Sequence, residues 1–219
     1  MNKKRGIVSI LILSMAVMML SGCARKFDAS GYTKAVLDVC YKGETEQYMK
    51  LTNSSKEEAE AVFSDNMEQI MEEFAALNLS DELQASYKEF FEDLAKNVKY
   101  TVGEAVPDKK GNFTVDVSVE PITNLQDTYE EFMTKTEEYT TQVSNDIING
   151  GETPSEQEMQ NKVFEIYYNI LRASIDAGIN YGEAQTVTMH VNKGNNNVYE
   201  IPEADLTALD ELTIAADIF

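Results

Sequence analysis

The apolar positions of this chain repeat at two different spacings, and the spacing changes where the predicted elements change. Ile7 to Leu20 is almost unbroken apolar sequence, interrupted by Ser9 and Ser14. From Ser30 onward "SGYTKAVLDVCYKG" reads as a helix that stops at Gly43, and "ETEQYMKL" adds a short helical turn. Ser54 with Glu57, or Ser55 with Glu58, forms a capping box. The helix it opens carries Val62, Phe63, Met67, Ile70, Met71 and Phe74 at 3.6-residue spacing. Ser80 caps another helix, with Leu83, Tyr87, Phe90, Phe91, Leu94 and Val98 on one face.

The period then shortens to two. In "GNFTVDVSVE" Phe113, Val115, Val117 and Val119 alternate with Thr114, Asp116, Ser118 and Glu120, the mark of a half-buried strand. "KYTVGEAV" is its hairpin partner through the turn "PDKKGN". A helical stripe follows at Leu125, Tyr129, Phe132, Thr136, Tyr139, Val143 and Ile147, ending at Asn149-Gly150-Gly151. Thr153 as N-cap, Pro154 at the first position and Glu156 at the third predict the next helix, which runs to about Gly178. Two long helices across a short loop imply an antiparallel helical hairpin. "EAQTVTMHVN", the turn "KGNNN" and "VYEI" form a second β-hairpin, and Pro202 opens a C-terminal helix with Leu206 and Leu209. The fold class expected is α+β: a helical layer, with the long antiparallel helix hairpin, packed on one face of a four-stranded antiparallel sheet.

The first residues change the picture. Lys3, Lys4 and Arg5 precede the apolar run, and a basic start before a short apolar stretch marks a secretory signal. The run falls short of the roughly 20 residues that span a bilayer. It closes on Leu20-Ser21-Gly22-Cys23. That quartet resembles the lipobox of bacterial lipoproteins. The resemblance implies cleavage between Gly22 and Cys23 and a diacylglycerol thioether on Cys23. The other reading is a free or disulfide cysteine behind an ordinary signal. Under the lipobox reading, residues 1–22 are a removed signal peptide. Residues 23–29 are anchor and short tether, and 30–219 form a single extracytoplasmic domain. Two acyl chains satisfy the need for two signals in stable anchoring.

Losing Lys3, Lys4 and Arg5 takes the formal charge from −20 to −23. Such acidity repels phosphate backbones and argues against nucleic acid as a partner. Arg25 and Lys26 stand beside the anchor, a basic collar on an acidic body. Cys40 is then the remaining thiol. It follows Tyr32, Val36 and Val39 at helical spacing, which predicts a buried structural cysteine. His190, the single histidine, shares a polar strand face with Thr186 and Thr188 and reads as exposed. No metal set, calcium loop, phosphate-binding glycine loop or nucleophile motif stands out.

"NKVFEIYYNILRASIDAGI" is apolar on most faces and reads as a central helix. Lys162, Glu165, Asn169, Arg172 and Asp176 form a narrow polar stripe along it. In one reading the stripe lines a pocket, with Arg172 on an anion and Tyr167 or Tyr168 at the rim. In the other it is solvated, with Arg172 and Asp176 paired across one turn.

With "LSGC", the opening "VLDVCYKGETEQYMKLTNSSKEEAEAVF" and the later hairpins, the chain resembles small lipoproteins of Gram-positive bacteria that carry a domain of unknown function. The resemblance implies a lipid-anchored place on the extracytoplasmic face of the cell membrane and supplies no catalytic residues. The function expected is a non-enzymatic binding or interaction module without a cofactor, acting on an envelope protein or a small ligand. A solute-binding lipoprotein for a transporter and an envelope hydrolase are the alternatives.

Overall fold

The computed structural model describes residues 18–19, 27–194 and 198–215. Helix α1 (Ala29–Lys42) starts one residue before the expected Ser30. Asp28 is its N-cap and accepts a 2.9 Å bond from the Gly31 N–H. It ends at Gly43, whose φ of 66° suits a residue without a Cβ. The segment read as a single turn is a two-turn helix, α2 (Thr45–Thr52). Of the two capping boxes offered for α3 (Lys56–Ala75), Ser55 with Glu58 forms, each side chain bonding the other's backbone N–H. Ser80 caps α4 (Asp81–Lys96) as expected.

Met18–Met19 is a two-residue strand, β1, on the edge of the sheet. The sheet proper is β2 (Lys99–Pro107), β3 (Phe113–Glu120), β4 (Gln185–Lys193) and β5 (Val198–Glu200). The strand order is β1-β5-β4-β3-β2, antiparallel throughout. The predicted alternation holds. Val115, Val117, Val119, Met189 and Val191 are fully buried, while Asp116, Thr186, Thr188 and His190 face solvent. The register of β2 slips between Val102 and Ala105. At Gly103 a Cβ would come within 2.9 Å of the Asp116 carbonyl, so the bulge needs glycine.

The stripe from Leu125 to Ile147 is not one helix. A short α5 (Asn124–Asp127) is followed by α6 (Tyr129–Ile148), with the break at Thr128. The Thr128 hydroxyl donates back to the Asn124 and Leu125 carbonyls, which competes with the helical ladder. Helix α7 (Glu156–Ala177) begins two residues later than expected. Ser155, not Thr153, is the N-cap, because Ser155 and Glu158 complete a reciprocal capping box. A last helix, α8 (Glu203–Asp210), follows Pro202.

The class is α+β, but the helices on the sheet are α1 and α8. Helix α1 lies across β2, β3 and β4, and α8 packs on β4. Helices α3 and α4 form the next layer, α7 lies along α4, and α6 rests on α7 and α5. The long hairpin is therefore the outermost helical layer, not the cover of the sheet. Nor is α7 central: Leu171 is its one buried residue.

Candidate functional site

The polar stripe of α7 divides between two environments. Near the end of the helix, Arg172 donates from Nη1 to Asp93 Oδ2 of α4 at 2.7 Å and from Nη2 to Asp176 Oδ1 at 2.8 Å. These carboxylates push the guanidinium pKa up, and both forks of the arginine are occupied. The pair across one turn forms as one reading expected, and Asp93 adds a strut between helices. Lys162 is paired with Glu165 at 3.0 Å.

Further toward the start of α7, Glu165, Tyr168 and Asn169 line a cleft of about 400 Å³, facing Ser80, Glu82 and Ser86 of the α4 side. Tyr168 turns its ring to Tyr87 and Phe90, with centroids 5.5 and 6.4 Å apart. Tyr167 lies on the other side of α7, its ring 4.6 Å from Phe132 of α6. So Glu165, Tyr168 and Asn169 share a depression, and Arg172 and Asp176 do not line it. With Glu82 and Glu165 on its walls, the cleft offers acceptors and hydroxyls, a surface suited to a donor-rich or cationic group.

Cys40 is buried and unpaired by a disulfide, and burial pushes its thiol pKa up. A protonated thiol is a poor nucleophile, so Cys40 is packing. Around it α1 buries Asp38, which accepts from Lys34 and from the Tyr100 hydroxyl. Tyr41 donates to Asp210 of α8 at 2.8 Å. These buried carboxylates have hydroxyl or ammonium partners and fasten α1 to strand and helix. His190 is exposed as expected, with Nδ1 2.9 Å from Asp205 Oδ2.

Phe27, assigned to the tether by its position, stacks on Tyr199 at 3.6 Å and lies 5.7 Å from Phe113. It also packs 5.6 Å from Tyr32. Phe27 precedes the Asp28 N-cap and Tyr32 is the fourth helical residue, so the two form a hydrophobic staple. That staple was the signal available in the sequence. Phe113 begins β3, so this aromatic group sits at the end of the sheet where both β-turns lie. In the first turn, Asp108 accepts from the Asn112 side-chain amide and from the N–H groups of Asn112 and Lys110, which holds its carboxyl below the usual range. The turns touch: the Lys193 N–H donates to Asn112 Oδ1 at 3.0 Å. Gly22 and Cys23 lie outside the described residues.

Comparison with family models and with curated proteins gives no match. Among solved structures, the chain is similar to one from Bacillus subtilis subsp. subtilis str. 168 described as a "putative lipoprotein (ycdA)". The TM-score is 0.59 at 18% identity, covering 87% of this chain and 57% of that one. This chain thus spans little more than half the length of its neighbour. The likeness is one of fold.

Proposed function

We propose that this protein is a cell-envelope lipoprotein, anchored through a diacylglycerol thioether on Cys23, whose domain is a non-enzymatic module that binds another envelope protein. The reading of the first residues supports the anchor, and so does a neighbour of the same fold described as a lipoprotein. The observation that carries the binding role is α6. A helix of 20 residues with no buried position returns little hydrophobic energy for the backbone entropy it costs, about 1–2 kcal/mol per residue. Its outer side instead exposes Met133 and, at the tip, Ile147 and Ile148, the last at 81%. From residue 124 to 178 there are eleven carboxylates and three cations, and all three cations are paired. A partner with a basic rim and an apolar centre fits this surface.

Cys23→Ser tests the anchor: acyl labelling and membrane retention should both disappear. Photo-cross-linking side chains placed at Met133 and Ile148 in intact cells test the module. They should trap a defined envelope protein that the same group at Thr188, on the open face of the sheet, does not. Equal trapping from both faces, or a turnover activity in the purified domain that point mutation removes, overturns the reading.

A further inference from the structure

We propose that the turn end of the sheet is a membrane-docking surface that holds the domain against anionic lipid headgroups. The inference rests on the Cys23 anchor and adds an orientation to it. Four residue steps separate Cys23 from Phe27, a reach of at most about 14 Å when fully extended. Phe27 is fixed in the aromatic group with Tyr199 and Phe113. Lipids on Cys23 therefore bring that end of the sheet to the bilayer.

The chemistry at this end differs from the rest of the surface. Lys109, Lys110 and Lys193 are exposed on the two turns. Among the described residues these lysines have no ion pair. Elsewhere Lys34, Lys50, Lys56, Lys99, Lys135, Lys162 and Arg172 are all paired. Lys42 and Lys96 lie over aromatic rings, and among the described residues Lys88 is the other cation without an ion pair. Arg25 and Lys26 belong to the tether itself. In an anchored chain whose net charge falls from −20 to −23 once Lys3, Lys4 and Arg5 are cleaved away, cations collected beside the anchor are complementary to an anionic leaflet. Val106 stands next to them at 63% exposure, followed by exposed Pro107. An apolar tip ringed by lysines suits the headgroup boundary, with the stems buried and the ammonium groups at phosphate level. Acidic α5–α7 leave and rejoin the sheet at its opposite end, where Ile122 pairs with Tyr181. Seven strand steps from Phe113 to Glu120 put about 24 Å between the two ends.

The test is amide hydrogen exchange on the full lipidated protein in vesicles. One set is phosphatidylcholine alone, and the other holds equal parts phosphatidylcholine and phosphatidylglycerol. Residues 108–112 should exchange at least fivefold more slowly on the anionic vesicles, while Glu183 and Gly150 at other sites stay unchanged. Each lysine contributes about fivefold to the docked population. The Lys109→Gln, Lys110→Gln, Lys193→Gln variant should thus exchange at the same rate on both vesicles. Equal rates for the unmodified protein on both vesicles, or a triple variant still protected on the anionic set, overturns docking while leaving the anchor intact. Intact mass reads the anchor separately: absence of acyl mass on Cys23 removes the anchor and this orientation with it.

Discussion

Helices α1 and α6 both show a clear 3.6-residue repeat, yet they hold opposite places in the molecule. Nine of the 14 residues of α1 are buried, and none of the 20 in α6. Helix α1 is enclosed by the sheet on one side and by α2 and α3 on others, so its partners cover most of its circumference. Helix α6 meets α7 along a single seam flanked by water. A hydrophobic stripe reports that one side of a helix has a partner. It does not report whether that partner belongs to the core.

The contrast can be broken by measurement. Leu37→Ala, at a fully buried site in α1, should cost about 2–5 kcal/mol in urea unfolding. A loss below about 1 kcal/mol would mean α1 is not the centre. Tyr100→Phe leaves buried Asp38 with Lys34 alone and should cost about 1–3 kcal/mol. Burial holds the phenols of Tyr32, Tyr41, Tyr87 and Tyr100 well above their usual range. An unfolded tyrosine titrates near about pH 10. The stability these phenols contribute is complete below that pH and falls above it, because the unfolded chain releases protons the folded chain keeps. Thermal melts between neutral and strongly alkaline pH should show that decline, and a flat profile would contradict their burial. Ser155→Ala removes the cap of α7 and should cost about 1 kcal/mol. Val143→Ala on α6 should fall under about 1 kcal/mol, since its site keeps access to water. A larger cost would place α6 in the cooperative core.

The two β-hairpins, the caps of α3 and α4 and the burial of Cys40 were legible because each rests on local chemistry. The alternation in β3 and β4 named Val115, Val117, Val119 and Val191 correctly, with Val187 half-buried, since a strand face has just two choices. The placing of the long hairpin was not legible: its stripe fits a sheet face or another helix equally well. The cap of α7 was misplaced: the sequence pointed to Thr153 with Glu156, whereas the reciprocal bonds of Ser155 with Glu158 start the helix two residues later. At the site, the Arg172–Asp176 pair was readable from its spacing. The Asp93 strut was not, because it spans 79 positions. The lysines of the two turns stand apart in the sequence, with Lys109 and Lys110 far from Lys193. Only the register shows that Lys110 and Lys193 meet at one end beside Phe27.

The central pairing of the sheet has a consequence for how the chain assembles. Strands β3 and β4 are direct neighbours, yet residues 121–184 separate them. Closing a loop of that length instead of a two-residue turn spans five doublings, at roughly 0.6 kcal/mol each. The outer hairpins close over short turns and can pair early, whereas the β3–β4 ladder waits for the helices between. The Asn124 and Asn180 side chains, bonded to the backbone and to Asp127 at the root, do the work of the missing turn. Refolding should therefore run fastest at the margins of the sheet and slowest along its middle, where Val117 faces Val187.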